Sequence, residues 1–497
     1  MLFSPLPRSK PHGRSRSFFL ALSSMLALTP AHVLAQPESI LPDPSVTPGV
    51  PVAPPVLVQP VPAPPPPQPL PRLSSSQETY LRGWLADGAR QGLTSGSTDS
   101  YSSLSGDALS RAALDRASAL HRGRVDTADF LQVWALRPAA FDPLPGFVAA
   151  VKADRLGPWS NMLTPRYSGY EALRLGLIKY EKIRDAGGWK VLTAGSASTD
   201  VRARLKLEDD MVTDGEPLSA AIQRAQRRYG LEPTGTLGAR TLAALNVPVR
   251  DRVAAIMANM ERWRWLPDQI PVDRVQVNIA AAVVTVFEGD RPVMSMRGVT
   301  GGPDNQTPML TSTIRSIVVN PPWNVPASIA KRELFPKGRA ALARQGYKIV
   351  KTPEGGERII QPAGPNSALG RLKFDFDNPF AVYLHDTPSR AKFSSYDRLA
   401  SHGCVRLERP VPLADRMLEG ASELSGGTVQ DLIETGKTQR VSLPKPVSVY
   451  LLYWTAFASS NGTLGFRDDP YGWDKLLAAK IDASTGRAQA TAIASKD

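Results

Sequence analysis

The run Leu372-Lys373-Phe374-Asp375-Phe376-Asp377-Asn378-Pro379-Phe380-Ala381-Val382-Tyr383-Leu384-His385 places apolar residues at 372, 374 and 376 between charged ones at 373, 375 and 377. A period of two is that of a strand with one face buried. Asn378-Pro379 supplies a turn, and Phe380 to Leu384 reads as a further strand that delivers His385 at its end. The same period holds upstream. Val275, Val277 and Ile279 alternate with Gln276 and Asn278, and Val284 to Phe287 leads through Glu288-Gly289-Asp290 into Val293 to Met296, a β-meander. Before it the period is helical, as at Leu173, Leu177 and Tyr180, with Gly187-Gly188 as the stop. The expected fold class is therefore multidomain α+β: a mostly β unit preceded by a helical scaffold.

The chain has 497 residues, 42% of them apolar, enough for two or three folded units. Arg8, Lys10, Arg14 and Arg16 precede an apolar run from Phe18 to Leu28, and Val33-Leu34-Ala35 offers a small-residue cleavage site, the pattern of a secretory signal. That run is well short of the roughly 20 residues a spanning helix needs, so export without a membrane span is expected. From Pro37 to Pro71 proline dominates, which favours an extended tether over a packed core. The formal charge is +13, and removal of the four leader cations leaves +9. Outside the cytoplasm nucleic acid is a poor partner for that charge, whereas the carboxylate-rich peptides of a wall are available.

One cysteine, Cys404, is an unusual inventory for an exported protein, where cysteines are normally paired or absent. It follows Ser401-His402-Gly403 and precedes Val405-Arg406. Fifteen residues separate His385, in Tyr383-Leu384-His385-Asp386-Thr387-Pro388, from Ser401. Both halves, their order and their spacing resemble the L,D-transpeptidase signature of YkuD type. Thr307-Pro308, Asn320-Pro321-Pro322-Trp323, Gly364-Pro365-Asn366 and the tail through Asp469-Pro470-Tyr471-Gly472 are similar to the large periplasmic branch of that family. Ala221-Ile222-Gln223 through Tyr229-Gly230-Leu231, followed by Gly235, Gly238, Thr241-Leu242 and Leu245-Asn246, resembles the peptidoglycan-binding type 1 module.

The resemblance implies that Cys404 attacks a stem-peptide carbonyl and holds a thioester until an amine takes the acyl group. A thiol of pKa about 8.5 needs a neighbouring imidazole to raise its reactive fraction. His385 is the expected base. Successive strand side chains point to opposite faces, so a backbone carbonyl, and not the Asp386 carboxylate, is the expected orienter of its ring. The backbone N–H groups of His402, Gly403 and Cys404 are candidates for an oxyanion site, with Gly403 allowing a tight turn and Ser401 supporting the loop. His402 is the alternative base. Arg406 and Tyr383 are candidates for substrate binding, and for Arg406 a structural ion pair is an equal alternative. No cofactor and no metal is expected, since neither H-x-x-x-H nor C-x-x-C spacing occurs.

The expected partners are peptidoglycan stem peptides and glycan, in the periplasm. Water as acceptor would make the same site a carboxypeptidase or a linkage-cleaving hydrolase, and a noncatalytic wall-binding protein is the alternative from another class. The expected division is signal peptide at 1–35, tether at 36–75, helical scaffold at 76–214, peptidoglycan-binding-like module at 215–248, connecting helix at 249–272, catalytic domain at 273–440 and a C-terminal segment at 441–497 that completes the scaffold. Residues 337–371, rich in Gly and Pro, are expected to form a loop-like lid over Cys404.

Overall fold

A computed structural model describes residues 69–93, 101–424, 426–459 and 462–494; the expected signal peptide and most of the expected tether lie outside the described residues. The chain is α+β. Helices Ser75–Ala86, Gly106–Arg122, Leu144–Lys152 and Leu156–Asn161 bury Leu81, Leu85, Leu109, Ala113, Phe147 and Trp159 in a core of their own. The first helix begins at a capping box in which Ser74 and Gln77 satisfy each other's backbone N–H groups.

Helix Ser168–Asp185 buries Tyr170, Leu173, Leu177, Tyr180 and Ile183 along one stripe. It ends where Gly188, at φ +80°, donates its N–H to the Ile183 carbonyl at 2.8 Å. Helices Leu218–Arg228 and Ala239–Leu245 form the small module, and helix Val249–Trp263 follows it. Their buried residues, among them Ile222, Ala225, Leu245 and Ile256, join one continuous core with those of the sheet. Among the described residues no helix is long and apolar enough to cross a membrane.

The strands are β1 (Arg274–Asn278), β2 (Val283–Glu288), β3 (Arg291–Gly301), β4 (Leu310–Val319), β5 (Trp323–Asn324), β6 (Lys348–Lys351), β7 (Glu357–Gln361), β8 (Leu372–Phe376), β9 (Leu384–His385), β10 (Leu399–Ser401), β11 (Val405–Leu407), β12 (Gln439–Leu452), β13 (Ala456–Ala458) and β14 (Leu464–Phe466). Nine of them form a sheet in the order β10-β3-β11-β9-β8-β4-β12-β1-β2, and β2 also pairs with β3, which closes the sheet on itself. Strand β12 lies between β4 and β1, so the boundary expected at residue 440 falls inside the sheet. The prolines at 444 and 446 lack the N–H a ladder needs, and they fall where the β12–β4 register is interrupted, between Ser442 and Val447. The chain beyond β12 packs on the helices through β13, β14 and the helix starting at Trp473.

Two further expectations change. The strand expected over 380–384 shortens to β9, because Asn378 takes the chain into a turn: its Oδ1 accepts from the N–H groups of Phe380 and Val382, and Ala381 stands at φ +52°. The stretch expected as a loop-like lid is largely folded. Helix Arg339–Arg344 and strands β6 and β7 join β5 in a three-stranded sheet over a core of Val325, Ile329, Leu334, Leu342 and Ile359.

Candidate active site

Strands β9 and β11 run parallel, Leu384 opposite Val405 and His385 opposite Arg406. Leu384 and Val405 point into the core at 0% exposure. Alternation then puts Tyr383 and His385 of one strand, and Cys404 and Arg406 at the other, on the opposite face. Strand β8 extends this face: Lys373 stands opposite His385, and Phe374 is buried behind it. Tyr383, His385, Cys404 and Arg406 are thus brought together by sheet register, across eighteen intervening sequence positions from His385 to Cys404.

His385 is 5% exposed and its Nδ1 lies 2.5 Å from the Asp386 carbonyl. A carbonyl only accepts, so Nδ1 carries the proton and Nε2 keeps the free lone pair of a base. Burial and then the nearby Arg406 charge push the imidazole down to about 3, against the opposing pull of the Asp386 and Leu369 carbonyls. The ring is neutral at physiological pH. The Asp386 carboxylate serves elsewhere, accepting from the Arg371 N–H at 2.8 Å.

Burial also raises the Cys404 thiol, opposed by the backbone N–H and hydroxyl of Tyr383 and by the charges of Lys373 and Arg406. The sulfur is 3.9 Å from the Ala381 carbonyl. No hydrogen bond joins it to the His385 ring, so proton transfer requires the thiol to turn from Ala381 toward the diagonally placed imidazole. The Tyr383 and His385 rings meet edge to face at 5.6 Å.

The loop ahead of the sulfur is fixed from below. Gly403 sits at φ +109°, where a side chain is strained. Its N–H donates to Ser401 Oγ at 3.2 Å, and Ser401 Oγ donates to the Cys404 carbonyl at 2.5 Å. The Gly403 N–H is therefore engaged within the loop, which removes it from the expected oxyanion donors. Thr307 Oγ1 donates to the Gly403 carbonyl at 2.7 Å, and the Thr307 N–H in turn donates to the Tyr471 hydroxyl at 3.2 Å. These two supports were visible in the sequence only as parts of the resemblance.

His402 turns away from the sulfur, its Nε2 2.8 Å from Glu333 Oε1. Glu333 belongs to the folded insert, whose Trp323 side chain also faces the Tyr383 hydroxyl. The insert thus meets the site through Trp323 and Glu333, ahead of the expected lid segment, and the segment itself reaches the site at its end, through the Leu369 carbonyl on His385. The Arg406 side chain has no ion pair or hydrogen bond among the described residues, so the alternative of a structural ion pair finds no partner there. No cluster of three or more metal-ligating side chains occurs among the described residues. A cavity of about 1250 Å³ walled by Tyr167, Trp263 and Trp454 contains none of the residues above.

Residues 272–430 match the YkuD family, described as "L,D-transpeptidase catalytic domain"; residues 209–245 match a "Putative peptidoglycan binding domain", and residues 107–177 a "Scaffold domain". A curated protein of Haemophilus influenzae, named "Putative L,D-transpeptidase", is 31% identical over 239 residues, covering 44% of this chain and 48% of that one. The chain thus spans about half the length of that relative. Among solved structures, an L,D-transpeptidase from Mycobacterium smegmatis is 17% identical over 36% of this chain and 58% of its own, with a TM-score of 0.20. One from Xylanimonas cellulosilytica is 16% identical over 52% and 94%, with a TM-score of 0.18. Residues 272–430 are thus similar to the L,D-transpeptidase catalytic domain of the YkuD family, and the residues before them to a peptidoglycan-binding module.

Proposed function

We propose that the chain is an exported L,D-transpeptidase that cross-links peptidoglycan stem peptides in the periplasm, with Cys404 as nucleophile and His385 as base. The observation that carries this reading is the shared face of β9 and β11, where the chain's one thiol stands diagonally from a neutral imidazole whose Nδ1 is held by the Asp386 carbonyl. The thiol gives its proton to Nε2 as sulfur attacks the carbonyl of the third residue of a tetrapeptide stem. The bond to the terminal D-alanine breaks, and the imidazolium returns the proton to the departing amine. An amine of a second stem then takes the acyl group from sulfur, with His385 again as base. The carbonyls of Asp386 and Leu369 suit this cycle, because they favour the imidazolium that forms transiently.

Purified protein incubated with disaccharide-tetrapeptide should yield a dimer lighter by one D-alanine on mass spectrometry. Tripeptide alone as product would make water the acceptor, and no product would refute the reading. A carbapenem ring should be opened by the same sulfur, adding one equivalent to the intact mass on the peptide containing Cys404. The Cys404→Ala variant should remain unmodified.

A further inference from the structure

His385 is flanked on both sides by cations. Lys373 stands opposite it in β8 and Arg406 opposite it in β11, so the three share one row of the sheet and one face. Arg406 has no acidic partner among the described residues. Lys373 does have one, Asp375 at 2.6 Å, but Asp375 is shared with Arg440 at 3.0 Å. Lys373 and Arg440 therefore share a single carboxylate, and Arg406 has none. The Lys373 ammonium also lies 4.2 Å from the centre of the Tyr383 ring, which places it inside the cluster that contains the sulfur. A base that must acquire positive charge during the reaction is an unexpected neighbour for two cations unless an anion arrives with the substrate.

The reaction supplies one. Sulfur bonds to the third-residue carbonyl carbon, the bond from that carbon to the terminal nitrogen breaks, and His385 passes the thiol's proton to that nitrogen. The α-carboxylate of the departing residue is fixed one carbon away from the same nitrogen. It must come to rest within a few ångströms of His385, and neighbouring strands lie about 5 Å apart. Both cross-strand positions at that distance are cationic.

We propose that Lys373, together with Arg406, receives the free α-carboxylate of the leaving residue and thereby restricts the acyl donor to stems that end one residue beyond the scissile bond. This rests on the transpeptidase reading. Lys373 is then a specificity determinant as well as a neighbour of Tyr383.

The test compares a stem tetrapeptide with the same peptide amidated only at its C-terminus, reading released D-alanine or D-alaninamide by mass spectrometry. Other carboxylates of the stem are identical in the two donors. Wild type should prefer the free acid by roughly 10- to 100-fold in kcat/KM, the worth of one charge-assisted contact. Lys373→Met and Lys373→Gln should each cut that preference by about tenfold, and Lys373→Arg should retain it. The two neutral variants give separate readings should one fail to fold. An unchanged preference in the neutral variants overturns the assignment, as does an equal loss on both donors, which would confine Lys373 to holding Tyr383. Turnover by wild type without preference overturns this inference alone. No turnover of either donor by wild type overturns the transpeptidase reading and this inference with it.

Discussion

Two regions of the molecule gather charged groups, and they treat them oppositely. Where the small module meets the scaffold, Glu208 has a fully buried carboxylate that accepts from Arg204 at 2.8 Å and from the hydroxyls of Tyr180 and Tyr229, with Arg228 at 3.4 Å. Burial alone would raise this carboxyl, but the charges of Arg204, Arg228 and Arg252 outweigh it and hold Glu208 at about 2. Arg204 spends its other donors on the Leu245 carbonyl and stacks over Trp189 at 3.7 Å. Around His385 the compensation is missing: among the described residues Arg406 has no acidic partner, and the ring is held neutral beside it. A buried carboxylate balanced by cations fixes one packing arrangement, whereas cations left without a carboxylate are stabilised by an anion that binds beside them. The first region reads as a joint and the second as a site.

The sharpest break of this comparison is Cys404→Ala, which should lower acyl transfer by roughly 10⁴-fold or more while thermal unfolding stays close to that of wild type. Activity within tenfold of wild type would remove Cys404 from the chemistry. His385→Ala should lose roughly 10²- to 10⁴-fold in the rate of thioester formation. His402→Ala should lose far less, because its imidazole is turned to Glu333. The reverse order, in pre-steady-state acylation, would transfer the role of base to His402.

Glu208→Gln probes the joint. It leaves Arg204 and Arg228 buried without their carboxylate and should cost about 3–5 kcal/mol in urea unfolding. At temperatures where the variant is folded, the ratio of the two donor peptides' turnover should match wild type. A loss below about 1 kcal/mol would mean that the network is dispensable.

The smallest effect is in the pH dependence of stability. The folded-state value of His385 lies below that of an unfolded histidine near 6.5, so the unfolded chain binds the proton first as pH falls. Its contribution is complete above pH 6.5 and is lost between there and about 3. That of Glu208 is complete above about 4.5 and is lost between there and about 2. From pH 6.5 to 5, His385→Asn should therefore flatten the stability curve by at most about 1.4 kcal/mol per pH unit. Glu208→Gln should leave that limb in place. Parallel curves for wild type and His385→Asn would show that the ring is not held neutral by the fold.

What the sequence determined by itself was local or carried by fixed spacing. The stripe of Leu173, Leu177 and Tyr180 gave a helix, the alternation from Leu372 to Phe376 gave a strand, and the pairing of His385 with Ser401-His402-Gly403-Cys404 gave the candidate chemistry. Period and turn residues suffice there, because neighbours in the chain are neighbours in space. Tertiary structure decided everything that depends on which strand lies beside which. Strand β12 enters the sheet between β4 and β1, far from both in sequence, and so carries the sheet past residue 440. The insert gains order from a core that joins Val325 to Ile359, so its glycines and prolines punctuate a folded unit. The Gly403 N–H was a free donor on paper until Ser401 Oγ came within reach. Lys373 was only the polar half of an alternation until register set it beside His385. A strand's own pattern tells which residues share a face, and only the pairing of strands tells what stands next to them.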